Sequence, residues 1–284
     1  MTRPACALAI VVASWAAVDV ASQTAASSSV RELMQTARGQ MQRGDPAGAV
    51  ESLRTARTLA PNSEEVLAAL AQVALAARMP LVAITTLDGL TRLCPGVAQY
   101  PYLLGVALMQ AGDMAAAIES LQQADRLEPE RALTLLALGL ALNNRKHYDE
   151  ARGALRHAVD LEPENIDGLA ALAEAEAGAG DLTRAEEHSR RVLGQSSTHG
   201  TANFVMGLVL MRRERYAEAR DALGAAIAAA PDSAAAYYQL SLAYARLGDD
   251  ANARRHVELY QQKLREAEER IKSLRSVVPR ERRP

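Results

Sequence analysis

The sequence predicts an all-α fold, a right-handed α-solenoid of about seven 34-residue helix-turn-helix repeats with a long C-terminal helix, and three observations carry that prediction. The first is a register of stops: Pro61, Pro95, Pro129, Pro163 and Pro231 fall on one 34-residue ladder, with Ser197 at the remaining rung. The second is a pair of small-residue columns in the same register. One is Ala49, Ala83, Ala117, Ala151, Ala185 and Ala219; the other is Ala37, Ala71, Gly105, Gly139, Ala173 and Gly207. The third is a pair of large columns: Leu53, Leu87, Leu121, Leu155 and Leu223, and Leu70, Leu104, Leu138, Leu172, Met206 and Leu240. Small columns permit two close helix contacts per repeat, and the large columns fill the space between them. A period of this length marks a stack in which each helix pair buries its apolar face only against its neighbours.

One copy is complete between Leu133 and Pro163. Leu135, Leu138, Gly139 and Leu142 share one helical face, Tyr148 follows, and Ala151, Leu155 and Ala158 share a second face before Pro163. Spacings of three and four place each set on one side of a helix.

Taken in order, residues 1–22 have the pattern of an export signal, with Arg3 as a positive start and Ala5 to Val18 as an uncharged, mostly apolar run ended by Asp19. That run is shorter than the roughly 20 residues that a membrane-spanning helix needs. Cleavage after Ala16 and cleavage after Ser22 both fit, and an uncleaved N-terminal anchor is the alternative. Export with cleavage predicts a periplasmic or secreted protein with no membrane span, no tryptophan once Trp15 is removed, and Cys94 as its only cysteine. Cys94, just before Pro95, reads as a partly buried structural thiol.

A polar linker, residues 23–29, leads to the array, residues 30–267, whose first helix opens with Ser29 and Glu32 in capping-box spacing. Gly44, Asp45 and Pro46 supply a helix-ending glycine, an N-cap acid and a first-turn proline. Gly112–Asp113, Gly180–Asp181 and Gly248–Asp249 repeat that device, and Pro80 replaces it in the second unit. Unit five, Ile166 to His199, fits the pattern worst. Glu176 and Ser189 stand where large apolar side chains are expected, Gly178 adds backbone freedom near Gly180, and Ser197 replaces the proline. This unit should have the weakest interfaces, with Glu176 as an alternative polar hook for a ligand.

The long final helix, residues 250–278, overlaps the seventh unit. Val257, Tyr260, Leu264, Ala267, Ile271, Leu274 and Val278 form a seam with alternating gaps of three and four. Its first half should lie on the last repeat as a cap, and its second half, from Ile271, should self-associate or dock to a partner helix. A basic tail, residues 279–284, ends the chain.

Composition narrows the functional class. With 4% aromatic and 49% hydrophobic residues and a net charge of −2, the chain suits thin helix pairs and shows no basic face or motif for nucleic acid. It contains no phosphate loop, nucleophile elbow or HExxH. Its five histidines, His147, His157, His188, His199 and His256, include no pair at the three- or four-residue spacing that places two metal ligands on one helix face. The expectation is a non-enzyme without cofactor or metal.

At the register residues quoted above the chain resembles the tetratricopeptide repeat family: a large-Leu-Gly-large face on the first helix, small-large-small on the second, and a proline near the end of each unit. The resemblance runs through seven consecutive units. It implies a protein-protein interaction scaffold whose concave groove is lined by particular first-helix positions. Carried onto this sequence, those positions are Arg38 with Met41 and Gln42 in unit one, and Tyr102, Val106, Met109 and Gln110 in unit three. Unit four supplies Leu136, Leu140, Asn143 and Asn144, unit six Phe204, Leu208, Met211 and Arg212, and unit seven Tyr238, Leu242 and Arg246. Family members that clamp a terminal carboxylate use Lys, Arg and Asn at sites that here hold Ala68, Gln72, Tyr102, Val106, Leu136 and Leu140. The implied partner is therefore a helical or extended segment of another protein held by apolar side chains. The alternative is an assembly component that acts through its C-terminal helix, with the repeats as spacer.

Overall fold

The computed structural model describes residues 27–276, and every regular element among them is helical. The helices are α1 (27–42), α2 (Pro46–Leu59), α3 (Glu64–Ala76), α4 (Pro80–Leu93), α5 (Gln99–Ala111), α6 (Met114–Leu127), α7 (Ala132–Asn144), α8 (Tyr148–Leu161), α9 (Ile166–Ala179), α10 (Leu182–Gln195), α11 (Gly200–Arg212), α12 (Tyr216–Ala229), α13 (Ala234–Arg246) and α14 (Asp250–Ser276). The first residues of the even-numbered helices are each 34 apart, so the register read from the stops is also the register of the structure. The fold is the all-α helix-pair solenoid class. Two compact units divide at Tyr100 and Pro101. The predicted signal segment, the start of the linker and the basic tail lie outside the described residues.

Local chemistry explains where each helix stops and starts. Residues 44, 78, 112, 146, 180, 214 and 248 all adopt left-handed backbone: Gly44, Gly112, Gly180 and Gly248 do so, and so do Arg78, Lys146 and Glu214 at φ of 52°, 62° and 60°. This reverses the chain within each pair at a conformation that favours glycine. The following acid then caps the next helix, as when the Gly48 amide donates to Asp45 Oδ1 at 2.9 Å and the Asn252 amide to Asp249 Oδ1 at 3.0 Å. Between pairs, the residue before each rung adopts one extended conformation, for example Ala60 at φ −137°, ψ 71° and Glu162 at −130°, 75°. Proline at the next position excludes helical backbone here. Ser196, which precedes Ser197 instead, keeps the same form at −142°, 93°.

Within the first unit the fully buried core joins Ala49 and Leu53 of α2, Leu70 and Ala71 of α3, and Ala83 and Leu87 of α4. In the second unit Leu121, Leu138, Leu142, Leu155 and Leu172 belong to one apolar cluster. The glycine column is a close-approach column. A Cβ on Gly105, Gly139 or Gly207 would lie 2.5, 2.3 or 2.5 Å from Cγ of Leu121, Leu155 or Leu223.

Three expectations need correction. Residues 27–29 are already helical, so Ser29 stands inside α1 and does not cap it. Gly178 is not a hinge: it lies within α9, where an added Cβ would meet the Tyr148 ring at 2.4 Å, so glycine is required for packing. The seam of α14 packs on α13 only in part. Tyr260 of the seam meets Tyr238 at 5.3 Å, but Val257 and Leu264 remain 37% and 41% exposed and Ala267 is exposed. Residues beside the seam supply the other contacts: His256 stacks on Tyr244 at 5.1 Å, and Lys263 Nζ pairs with Asp232 at 2.9 Å. The tyrosines of α13 turn the contact onto these rings. With 27 residues α14 extends for about 40 Å. The side chains of the distal seam, Ile271, Leu274 and Val278, lie outside what is described.

Unit five carries a buried polar site. Glu176 is 0% exposed, and its Oε2 lies 2.7 Å from His188 Nδ1. Glu176 Oε1 and Ser189 Oγ have no partner among the described protein groups.

Candidate functional site

The odd-numbered helices of the second unit present one helix face to an open groove, in two stretches. The first is a hollow of about 430 Å³, lined by Tyr102, Val106, Met109 and Gln110 of α5, Met114 of α6, and Leu133, Leu136 and Leu140 of α7. Two of its leucines, Leu133 and Leu140, are exposed among the described residues. The Arg131 guanidinium lies over the Tyr102 ring, 5.0 Å from its centre, and fixes that ring's tilt by a cation–π contact.

The second stretch is larger, about 770 Å³. Asn144 of α7, Phe204, Leu208, Met211 and Arg212 of α11 and Tyr238 of α13 line it, and Tyr260 and Leu264 of α14 wall one side. Tyr238 is 43% exposed although its ring rests on Tyr260, so the aromatic pair offers an apolar surface to the groove.

The sequence-predicted site residues therefore fall in several places. Tyr102, Val106, Met109, Leu136 and Leu140 come together in the first hollow, and Asn144, Phe204, Leu208, Met211, Arg212 and Tyr238 in the second. Asn143 borders the second hollow but is a buried structural amide: its Nδ2 donates to the Ala171 carbonyl at 2.9 Å, which ties α7 to α9. Leu242 and Arg246 are exposed on α13 outside both hollows. Arg38 belongs to the first unit, where it lines a separate hollow of about 360 Å³ with Arg31, Met34 and Gln72.

The structure adds residues to the groove that the sequence mapping passed over. Glu174, Ala177 and Gly178 of α9 line the second hollow, together with Tyr148 of α8 and Lys146 in the turn before it. The signal for Glu174 was available. It is the unit-five member of the column Val106, Leu140, Leu208 and Leu242, so a carboxylate stands between leucines on a groove-facing column. Burial pushes its carboxyl above the ordinary carboxylate range. The Tyr148 phenol is pushed up as well, first by its own burial and then by the charge of Glu174. Glu174 and Gly178 are one turn apart on α9, and the Tyr148 ring lies against that same face.

Comparison with known proteins agrees with the geometry. The tetratricopeptide repeat family profile matches residues 68–132, 136–199 and 204–264. No curated protein sequence matches the chain. Among solved structures, a tetratricopeptide repeat protein from Parabacteroides merdae superposes with a TM-score of 0.71 at 14% identity, covering 87% of this chain and 97% of that one. A MamA protein gives a TM-score of 0.55 at 24% identity over 60% of this chain and 93% of that one. A chain of the APC/C hetero-tetramer Cut9–Hcn1 gives 0.60 at 19% identity over 74% of this chain and 42% of that one. At these identities the structural likeness concerns the fold alone. The family profile covers most of the sequence, on the same register that sets the helix boundaries, and the chain therefore belongs to the tetratricopeptide repeat family.

Proposed function

We propose that this protein is a non-catalytic protein-protein interaction scaffold of the cell envelope, and that it holds a helical or extended segment of another protein in the groove of its second unit. The observation that carries the reading is the 770 Å³ hollow, where Phe204, Leu208, Met211, Tyr238 and Leu264 present apolar surface left open by the described elements. Contiguous exposed apolar surface rimmed by polar groups is the usual mark of a docking site. The envelope assignment rests on the charged-apolar pattern of residues 1–22. Among the described residues no helix is long and apolar enough to cross a membrane.

Truncating Phe204 and Tyr238 to Ala tests the groove. Both side chains are partly exposed, so the double variant should lower partner affinity by roughly tenfold or more while leaving helix content and cooperative unfolding intact. Loss of the fold, with the roughly 3–5 kcal/mol cost typical of buried aromatics, would instead make them core residues and remove the anchors. Fusing residues 1–26 to a reporter and fractionating bacteria tests the location, with the reporter expected in the envelope fraction.

A second reading, assembly through α14, is favoured by the exposed Val257, on the helix that runs farthest beyond its repeat. Sedimentation with and without residues 268–284 separates it from the first: truncation would abolish self-association but leave groove binding unchanged.

A further inference from the structure

We propose that Glu174 is the anchor of the groove for a basic side chain, so that the docked segment is an apolar one carrying an Arg or Lys that reaches the α9 wall. This rests on the groove reading above and specifies the partner's chemistry. Three observations converge on it. Glu174 lines the same hollow as Phe204, Leu208 and Met211, and its register neighbours Leu140 and Leu208 are leucines. No cation among the described residues forms an ion pair with it, and no described counter-charge offsets the effect of burial on its carboxyl. The Tyr148 ring lies over Gly178, one turn along the same face of α9, and lines the hollow beside Glu174.

The energetics of docking follow from this placement. An apolar segment laid in the hollow removes the remaining water from a carboxylate that is already half-buried. Covering an ion without a partner is strongly unfavourable, whereas covering it with a hydrogen-bonded cation is not. The groove thus selects by penalty as much as by attraction: a segment with Ala, Leu or Glu opposite Glu174 is rejected. Lys146 and Arg212 also line the hollow, but both are exposed and retain water, so neither carries the same penalty when a segment docks. Glu176 and Glu186 cannot substitute as anchors. Glu176 is buried against His188, and Glu186 is paired with Arg190 and Arg213.

The test selects a displayed peptide library, with apolar residues fixed at helical spacing and the other positions random, on the full-length protein. Enriched peptides should carry Arg or Lys at a constant offset from their apolar residues. Glu174→Gln should weaken them by roughly tenfold or more. Replacing the peptide Arg by its uncharged isostere citrulline should cost as much on the unaltered protein, and nothing further on Glu174→Gln. The citrulline comparison needs no protein variant, so a misfolded variant does not hide the answer. Enriched peptides without a basic preference, or with affinity unchanged by Glu174→Gln, overturn the anchor and leave the groove reading in place. Absence of enrichment, or enrichment that survives Phe204→Ala with Tyr238→Ala, overturns the groove reading and the anchor together.

Discussion

Gly139 offers the most direct test of what the 34-residue register enforces. A Cβ built there would lie 2.3, 2.6 and 3.0 Å from Cγ, Cδ2 and Cδ1 of Leu155, whereas ordinary contact begins at 3.4 Å. Leu155 is fully buried and its branch carbon is the nearest atom, so a rotamer change cannot clear the overlap and α7 must move away from α8. Overpacking of this kind costs about 1–3 kcal/mol. Against it, Ala gains about 1 kcal/mol over Gly in a helix interior. Gly139→Ala should therefore lose up to about 2 kcal/mol in urea unfolding followed by circular dichroism, where the same change at an unencumbered helix site would gain about 1 kcal/mol. Leu155→Ala should lose about 2–5 kcal/mol through its cavity. The double variant should lose less than the sum, because each change removes the cause of the other's penalty. In the first unit the same column pairs Ala71 with Leu87, both fully buried, so a methyl at this register is tolerated where the helices are spaced for it. A Gly139→Ala protein more stable than the parent, or strictly additive losses, would refute the close-approach argument.

Three other outcomes follow from the structure. His188→Ala should destabilise the protein by about 1–3 kcal/mol, because both carboxyl oxygens of the fully buried Glu176 would then lack a hydrogen-bond partner, while Glu176→Leu with His188→Ala, which removes the buried polar group as well, should recover much of that loss; equal losses in both, measured by denaturant unfolding, would show that the pair is not what matters there. Ser197→Pro should stabilise by about 0.4–1 kcal/mol, since Ser196 already holds the extended backbone found before the prolines and the Ser197 carbonyl that accepts from Asn203 Nδ2 is retained; a lower melting temperature would contradict it. Burial holds the Glu174 carboxyl above its ordinary range, so folding favours its protonated form: that contribution is full below the unfolded pKa and is lost as pH rises through the folded one. Glu174→Gln should accordingly flatten the fall in stability across that upward window, and an unchanged pH profile would count against the burial.

How far the fold could be read from sequence depended on which physical constraint each residue carries. Proline and the left-handed turn constrain backbone locally, so their 34-residue recurrence located nearly every helix end without knowledge of packing. Arg78, Lys146 and Glu214 show the limit. They occupy the same left-handed rung as the glycines, and no propensity argument would put them there; the tertiary stack over-determines the turn. The seam of α14 shows another. Its apolar spacing is genuine, but which of its residues pack was decided by the rings that α13 presents: Tyr238 receives Tyr260 of the seam, while Tyr244 receives His256 beside it. A seam read from one helix does not contain its partner's surface.

The site was less legible than the fold because a groove is defined by what fails to be covered. The family resemblance nominates a face, and the residues carried over from it, Tyr102, Leu136, Phe204 and Tyr238, line the two hollows of the second unit. It could not tell that Asn143 would turn inward to the Ala171 carbonyl, since an amide at a helix end serves either as ligand or as tie. Nor could it value Glu174, because a glutamate on a helix is ordinarily solvated and the cost of its charge depends on neighbours 26 residues before it, at Tyr148, and 34 before and after it, at Leu140 and Leu208. Those neighbours are distant in sequence but belong to adjacent rungs of one register. In a repeat array the column is thus the sequence-level equivalent of a pocket wall, and a charge that interrupts an apolar column is where specificity can be written with a single residue.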